Sequence, residues 1–464
     1  MPLTNATTNM LMRGFVIQRW NDRIRPLPLV EIDRFALTMI SSFIIGNILE
    51  SNTESRLDWD FIIYGSIYDL FRKLRFYDMK STVQRRIKDS FPDEWTNMND
   101  KLLYELKYLV PNHLYQKLRS YRAFVTSEHG NLPWDKLITS SDLGYSFAVL
   151  RAAQRLSTYY EFKTVIHTYN KDQKVLNDLL GALSTFEFLP GIGGTTSLTE
   201  ENSKLYSFMK SIHSLRFQLR WSQAFKLPAA SVLGHVGLVS VLSYFLYHEL
   251  LDQGLASIVS DGNWIATNTF YAALFHDLPE VMTRDIVSPV KEELTSSVPS
   301  GDPLRTIEID MLGELFDKLE YKNVKLNNII DLLFYYSTGL WKQSTGSAAN
   351  TASEFATRYV AGGNVAVLCV PSGHIDNNSC IGNEKQLFSH NKKNEYPVLG
   401  RLIKAVDLIA AYLEAAQSIR SGITDEELRK AYSLLPTKLA KYDSQWLTYF
   451  DISIAASIRS ILER

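Results

Sequence analysis

Apolar residues recur at steps of three and four along most of the chain, and this spacing predicts amphipathic helices. The periodic segments are IDRFALTMISSFIIGNIL, WDFIIYGSIYDLFRKL, SFAVLRAAQRLSTYY, LSYFLYHELLDQG, IIDLLFYYSTGLW and RLIKAVDLIAAYLEAAQSIR. Alternating runs typical of a sheet are scarce, and the best candidate for a short strand is AGGNVAVLCV at 361–370. The pattern therefore predicts an all-α fold.

The segment 227–247 is apolar enough to suggest a membrane span. It contains no Lys, Arg, Asp or Glu, and His235 is its one histidine. Proline, glycine and serine residues dilute it, and no Lys/Arg asymmetry flanks it. We therefore expect a buried helix of a soluble protein, with no membrane partner.

The Gly- and Thr-rich stretch LPGIGGTTSLTEEN at 189–202 is the predicted domain boundary. It separates a helical N-terminal domain, 1–190, from a second domain, 200–464. Further turn-forming residues cluster at 296–303 and 344–351 and in the polar stretch 371–396.

Composition narrows the function classes. The chain has 49 basic and 50 acidic residues in 464, is 45% hydrophobic, and shows no dense basic stripe. Disorder and charge-driven nucleic-acid binding are therefore disfavoured. Its two cysteines, Cys369 and Cys380, exclude a disulfide scaffold and a cysteine-rich zinc site. Because a secretory leader is also not evident, we expect a cytoplasmic protein.

A faint internal repeat crosses the predicted boundary. The segment IQRWNDRIRPLPLVEIDRFALTMISSFIIG resembles FQLRWSQAFKLPAASVLGHVGLVSVLSYFL, so that Arg19–Trp20 aligns with Arg220–Trp221. Farther along, LRAAQ at 150–154 resembles LEAAQ at 413–417. Chance similarity between amphipathic helices is the alternative to a duplication.

The densest chemistry lies in FHDLPEVMTRDIVSPVK, 275–291, which contains His276, Asp277, Glu280 and Asp285. On a helix, Glu280 shares a face with His276 and Asp277. Such a group can hold a divalent cation through His and Asp while Glu transfers a proton.

Further ligands are needed to complete such a site, and His235 and Asp407 both interrupt otherwise apolar helices. A buried carboxylate usually has a cationic partner, which a metal could provide. Taken singly, His235 could be a hydrogen-bonded core histidine, and Asp407 could pair with Lys404. Both residues are more informative beside the 275–291 segment.

The order His235, His276–Asp277, Asp407 resembles the H…HD…D signature of the HD-domain metal-dependent phosphohydrolases, an all-α superfamily. The closest similarity is to the bacterial 5′-deoxyribonucleotidase branch. This resemblance implies one divalent metal ion, such as Mn, Co, Mg, Zn or Fe, held by those four residues.

The same branch implies roles for the residues around the metal site. Glu280 would handle protons, and Asp285 would orient the sugar or assist the leaving oxygen. Arg220 would bind phosphate and Trp221 would pack against the nucleoside, while Lys291 could add a second positive charge or be simply solvated.

This resemblance spans about 215–425 and has two departures. Gly234 stands where many relatives carry an acid before the first His, and 296–400 contains an insertion that lengthens the gap to Asp407. The implied activity is a 5′-nucleotidase releasing phosphate from nucleoside monophosphates. Alternatives are a triphosphate or alarmone hydrolase of the same superfamily, or a non-catalytic nucleotide sensor.

If the first half is a second copy, its metal site has been lost and one working site per chain remains. Such a chain would be a monomeric pseudo-dimer, with a homodimer as the alternative. The aligned positions are Asp33 for His235, Tyr68 for His276, Asp69 for Asp277, Arg72 for Glu280, and Gly144 near Asp407.

Overall fold

The structure is a computed structural model, and the residues that it describes are 3–77, 79–190, 192, 198–252, 262–286, 290–291, 293–294, 303–317, 333, 336–337 and 400–450. The predicted strand at 361–370 lies outside them, as does most of the predicted helix at 329–341.

The first half is built from helices joined by short turns. They are α1 (Asn5–Met12), α2 (Glu31–Asn52), α3 (Trp59–Phe76), α4 (Ser81–Ser90), α5 (Pro92–Leu106), α6 (Asn112–Thr126), α7 (Trp134–Ser140), α8 (Gly144–Glu161), α9 (His167–Asn170) and α10 (Gln173–Ser184). Short 3₁₀ turns occupy Arg13–Phe15 and His129–Asn131, and a π-helical turn, Phe162–Ile166, follows α8.

The second half contains α11 (Lys204–His213), a 3₁₀ turn (Ser214–Phe217), α12 (Val232–Asp252), α13 (Gly262–Phe275), α14 (Glu280–Thr283), α15 (Pro303–Asp317), α16 (Gly400–Arg420) and α17 (Glu426–Phe450). Helix starts follow local capping chemistry: the side chains of Thr4, Asp58, Asp172 and Ser203 accept backbone N–H groups at the starts of α1, α3, α10 and α11.

Strands are limited, among the described residues, to β1 (Gln18–Arg19) and β2 (Leu29–Val30), which pair antiparallel with Gln18 opposite Val30. The second half has a single antiparallel bridge between Leu219 and Ser231 at the corresponding place before α12. In both halves, this pairing closes a loop that carries an Arg–Trp pair.

Helices α2 and α12 form the centre of the core and pack against each other. The close approach needs a small residue: a Cβ on Gly237 would lie 3.1 Å from the Ala36 Cβ. Aromatic rings also meet across the halves, with centroid distances of 4.9 Å for Phe43 and Tyr271 and 5.8 Å for Phe71 and Phe245. One continuous hydrophobic core therefore includes residues of both halves.

Burial explains the apolar stretches seen in the sequence. Helix α12 is buried from Val232 to Leu251, as predicted for that segment. By length and composition, α2 is the described helix that could cross a membrane, yet 94% of its apolar window is buried inside the fold. Both are packed as core helices are.

The all-α prediction is confirmed. The predicted segments 32–49, 59–74, 146–160 and 401–420 are α2, α3, α8 and α16, with boundaries extended by two residues or fewer at most ends.

Candidate metal centre

Three packed helices of the second half bring the predicted ligands together. His235 lies in the first turns of α12, and His276–Asp277 directly follow α13, whereas Asp407 lies in α16. Each of these helices packs against the other two. Convergence therefore follows from helix packing, although 130 residues separate the HD pair from Asp407.

The potential ligand atoms are close enough to share one ion. One ligand atom each from His235, His276 and Asp277 lie within 4.8 Å of one another. Asp407 Oδ1 lies 3.0 Å from His235 Nε2 and 4.0 Å from His276 Nε2. Lys404, the alternative partner of Asp407, is exposed, and Asp407 instead contacts the two imidazoles.

His276 is oriented as a metal ligand. Its Nδ1 donates a hydrogen bond to the Ala273 carbonyl at 2.7 Å, which leaves Nε2 to carry the lone pair. Nε2 is buried and, among the described residues, has no hydrogen-bond partner, while Asp277 Oδ1 lies 3.3 Å away. A buried, unpartnered imidazole nitrogen beside two carboxylates fits a divalent cation.

Glu414 supports this group and was missed by the sequence analysis. It is fully buried two turns after Asp407 in α16, and its Oε1 lies 2.9 Å from His235 Nδ1. Its Oε2 accepts a hydrogen bond from Trp221 Nε1 at 2.7 Å and lies 3.5 Å from Arg220 Nε. A signal was available, because a Glu seven residues after a candidate ligand lies on the same helix face.

The electrostatics favour positive charge at the centre. Burial and Arg220 lower the pKa of His235, but Glu414 and Asp407 outweigh both and raise it to about 9. Burial opposes ionisation of Asp407, yet His235 and His276 hold its pKa well below the usual range. The carboxylates are therefore ionised and attract a cation.

Glu280 has a different protonation state. Burial raises its pKa to about 9, and the neighbouring charges of Asp277 and Asp285 act in the same direction. Its Oε1 lies 3.6 Å from Lys291 Nζ, so Lys291 lies beside the candidate proton donor. A buried, protonated carboxyl next to a cation site suits a general acid.

The Arg–Trp pair lies in a strained loop beside the ligands. Trp221 has φ of 63°, in the left-handed region that non-glycine residues rarely adopt. Arg220 Nη1 lies 3.7 Å from Asp277 Oδ2, and its backbone N–H donates to the Ala230 carbonyl at 2.8 Å. The loop thus holds a guanidinium next to the HD pair.

A cavity of about 260 Å³ opens beside these residues. Its polar end includes Arg220, Asp285 and Asp407, and α17 supplies much of the opposite wall. The described wall residues from α16 and α17 are Leu408, Ala411, Glu427, Lys430, Ala431, Leu434, Leu435 and Lys438. Trp221 and Gln223 complete the lining.

Packing explains the glycine before the first His. A Cβ on Gly234 would lie 2.8 Å from Asp33 Oδ1 and 2.9 Å from the Phe15 ring. Asp33 accepts a hydrogen bond from Ser231 Oγ at 2.6 Å, so a carboxylate from the first half occupies this space. A larger residue at 234 would displace it.

The contacts of Glu161 in the first half indicate an alignment of the two halves that differs from the one given by sequence similarity. Glu161 in α8 accepts hydrogen bonds from Arg19 Nε at 2.9 Å and Trp20 Nε1 at 3.2 Å, as Glu414 is contacted by Arg220 and Trp221. With Glu161 matched to Glu414, Gln154 corresponds to Asp407.

This register differs from the aligned one at two places. Gly144, which was aligned near Asp407, lies at the start of α8, and the register set by Glu161 differs by ten residues from the similarity of LRAAQ to LEAAQ. Arg34 follows Arg19 by the same fifteen residues that separate Arg220 from His235, so the alignment of Asp33 with His235 holds to within one residue.

Comparison with protein families gives one match: residues 207–319 match the family described as 5′-deoxynucleotidase YfbR-like. Searches of curated proteins and of solved structures find no match. The matched segment includes Arg220, His235, the HD pair and Glu280, whereas Asp407 and Glu414 lie beyond it. Residues 207–319 are thus identified as similar to the YfbR-like 5′-deoxynucleotidases, which confirms the resemblance to this branch of the HD-domain phosphohydrolases.

Proposed function

We propose that this chain is a metal-dependent 5′-nucleotidase that releases phosphate from nucleoside monophosphates, with deoxynucleotides as the first substrates to test. The observation that carries the proposal is the buried, unpartnered Nε2 of His276 beside His235, Asp277 and Asp407. The similarity of residues 207–319 to 5′-deoxynucleotidases supports the same reaction class.

These four side chains would hold the ion through two imidazole nitrogens and two carboxylates. A divalent cation in such a site polarises a phosphoryl oxygen and lowers the pKa of coordinated water. Glu414 fixes the orientation of His235 through its Nδ1.

The remaining side chains would bind the substrate and move protons. Arg220 offers a guanidinium for the phosphate, next to Asp277. Glu280, protonated by burial, would donate a proton to the departing sugar oxygen, and Lys291 lies beside it. Asp285 and Trp221 line the cavity, where the sugar and base would lie.

The cavity favours a small substrate. Its volume of about 260 Å³ lies just below the usual range of ligand-binding pockets, and its apolar wall from α16 and α17 suits a nucleobase. Lys430 and Lys438 at this wall favour a second candidate, a substrate with a longer phosphate chain.

One experiment separates these candidates. Purified full-length protein is treated with chelator, reloaded with Mn²⁺, Co²⁺ or Mg²⁺, and incubated with nucleoside mono-, di- and triphosphates. Phosphate release from monophosphates supports the proposal, and tripolyphosphate release from triphosphates supports the second candidate. Absence of metal-dependent release from any of them would contradict both.

A further inference from the structure

The first half repeats the contacts that support the candidate metal centre. Trp20, like Trp221, has a left-handed backbone, with φ of 57° and 63° respectively. Glu161 binds the Arg19–Trp20 pair as Glu414 binds Arg220 and Trp221, and it is equally buried. The framework around the site is therefore present twice.

The ligand positions of the first framework are chemically different. Arg34 and Tyr68 stand where His235 and His276 stand in the second half, and Gln154 replaces Asp407. Asp69 keeps the place of Asp277, and its Oδ2 accepts a hydrogen bond from Gln154 Nε2 at 2.8 Å. One carboxylate without imidazoles cannot hold a catalytic metal ion.

The sign of the charge is reversed between the two frameworks. Arg72 corresponds to Glu280 and lies 3.3 Å from Asp69, whereas Arg151 corresponds to Lys404 and lies 3.7 Å from Asp69. In the first framework, Arg19, Arg34, Arg72 and Arg151 face the carboxylates of Glu31, Asp69 and Glu161, and Glu31 pairs with both Arg19 and Arg34. In the second framework, apart from the imidazoles, Arg220 and Lys404 face the carboxylates of Asp277, Asp407 and Glu414, while Glu280 is protonated.

The excess positive charge extends toward the surface. Among the described residues, Lys73, Arg85 and Arg155 form no ion pair within 4.0 Å. Burial lowers the pKa of Lys73 to about 8. The negative charge of Glu31 opposes this shift, whereas the positive charges of Arg34, Arg19 and Arg72 lower the pKa further. Burial and the neighbouring Arg151 and Arg85 likewise lower the pKa of Arg155. An anion placed among these groups would be stabilised.

We propose that residues 5–161 are a second copy of the HD-type unit, converted from a cation site to a site that binds the phosphate of a nucleoside monophosphate without hydrolysing it. The nucleotide part rests on the proposed function, because the retained Arg19–Trp20 pair matches the pair assigned to substrate in the second half. Arg72, Arg151 and Arg155 supply guanidinium donors for the phosphate.

The test counts nucleotide-binding sites on the full-length chain. Calorimetric titrations in EDTA, which prevents turnover, use each of the four 2′-deoxynucleoside 5′-monophosphates and inorganic phosphate. At least one nucleotide should bind twice per chain. Arg220→Gln should remove the site in the second half, so that the remaining binding reports the first half alone.

Two variants address the first half directly. Arg151→Gln and Arg155→Glu should each weaken the remaining binding by about tenfold or more, since each removes a charge-assisted contact. Both should leave phosphate release by the second half within about twofold, because the contacts of Arg151 with Gln154 and Asp69 lie within the first half. The exposed Arg119→Glu on α6 is the matched control and should change neither quantity.

Some outcomes would overturn the inference. Single-site binding that Arg220→Gln abolishes for every nucleotide would do so, as would two-site binding that neither variant alters although circular dichroism shows both folded. Binding of inorganic phosphate without any nucleotide would refute the nucleotide assignment. Nucleotide binding in the first half without catalysis in the second would leave this proposal standing and reject the proposed nucleotidase.

Discussion

Glu414 Oε1 lies 2.9 Å from His235 Nδ1, inside the protein and away from solvent. The contact fixes which nitrogen of His235 faces Asp407, and the same carboxylate also contacts Arg220 and Trp221. One buried acid therefore positions a candidate metal ligand together with the loop assigned to substrate.

Glu414→Gln should weaken metal binding by about 10- to 100-fold, because the amide removes the negative charge that orients and polarises His235. Metal affinity is measured by competition with a chelator. The exposed Glu426→Gln at the start of α17 is the control and should bind metal normally. Unchanged affinity in Glu414→Gln would show that His235 does not need this contact.

His276→Ala and Asp277→Ala should each abolish bound metal and phosphate release together, since each removes a direct ligand. Elemental analysis of the purified variants and a phosphate assay give the two readouts. The exposed Asp89→Ala on α4 should retain both. Activity that survives in a metal-free variant would separate catalysis from this centre.

Glu280→Gln should keep the metal but lose about 10²- to 10⁴-fold in kcat, which is the usual contribution of a positioned acid or base. The glutamine matches the protonated carboxyl in shape but has no acidic proton to give. A variant with near-normal kcat would remove Glu280 from the mechanism, and one without metal would make it a structural residue.

Stability should depend on pH through Asp33. Burial raises its pKa to about 6, although Arg216 and Ser231 oppose the shift. In the unfolded chain, an aspartic acid has a pKa of about 4. Because the folded-state pKa is higher, the protonated side chain stabilises the fold fully below pH 4, and this stabilisation is lost as the pH rises through the folded-state pKa. Asp33→Asn should therefore gain about 2 to 3 kcal/mol in unfolding free energy relative to wild type between pH 4 and 7.

Urea unfolding of both proteins at several pH values measures this difference. The exposed Asp89→Asn on α4 is the control variant. A constant difference for Asp33→Asn would mean that Asp33 ionises normally in the folded protein.

The chain should be a monomer in solution. Aromatic pairs such as Phe43–Tyr271 and Phe71–Phe245 already join the two halves inside one core. Size-exclusion chromatography with light scattering should give a mass near 52.9 kDa. A dimer of twice that mass, independent of concentration, would contradict the pseudo-dimer interpretation.

Local periodicity was sufficient to predict α2, α8, α12 and α16, because their apolar residues repeat at helical spacing. The motif order in turn selected His235, His276, Asp277 and Asp407, which the structure places side by side. These features are encoded in short stretches of sequence.

Other features depend on contacts between distant segments and could not be read locally. The sequence indicates only that Glu414 shares a helix face with Asp407, and its contact with His235 depends on the packing of α16 against α12. The similarity of LRAAQ to LEAAQ gives one alignment of the two halves, whereas the contacts of Glu161 favour another that differs by ten residues. The reason for Gly234 is likewise a side chain, Asp33, two hundred residues earlier.

The order of these elements along the chain also has a consequence for biosynthesis. Asp407 and Glu414 are synthesised 130 and 137 residues after Asp277. A nascent chain holding His235 and the HD pair therefore has an incomplete coordination set. For the proposed centre, we therefore expect metal to be bound by the full ligand set only after α16 has been synthesised, and a fragment ending at residue 319 would lack Asp407 and Glu414.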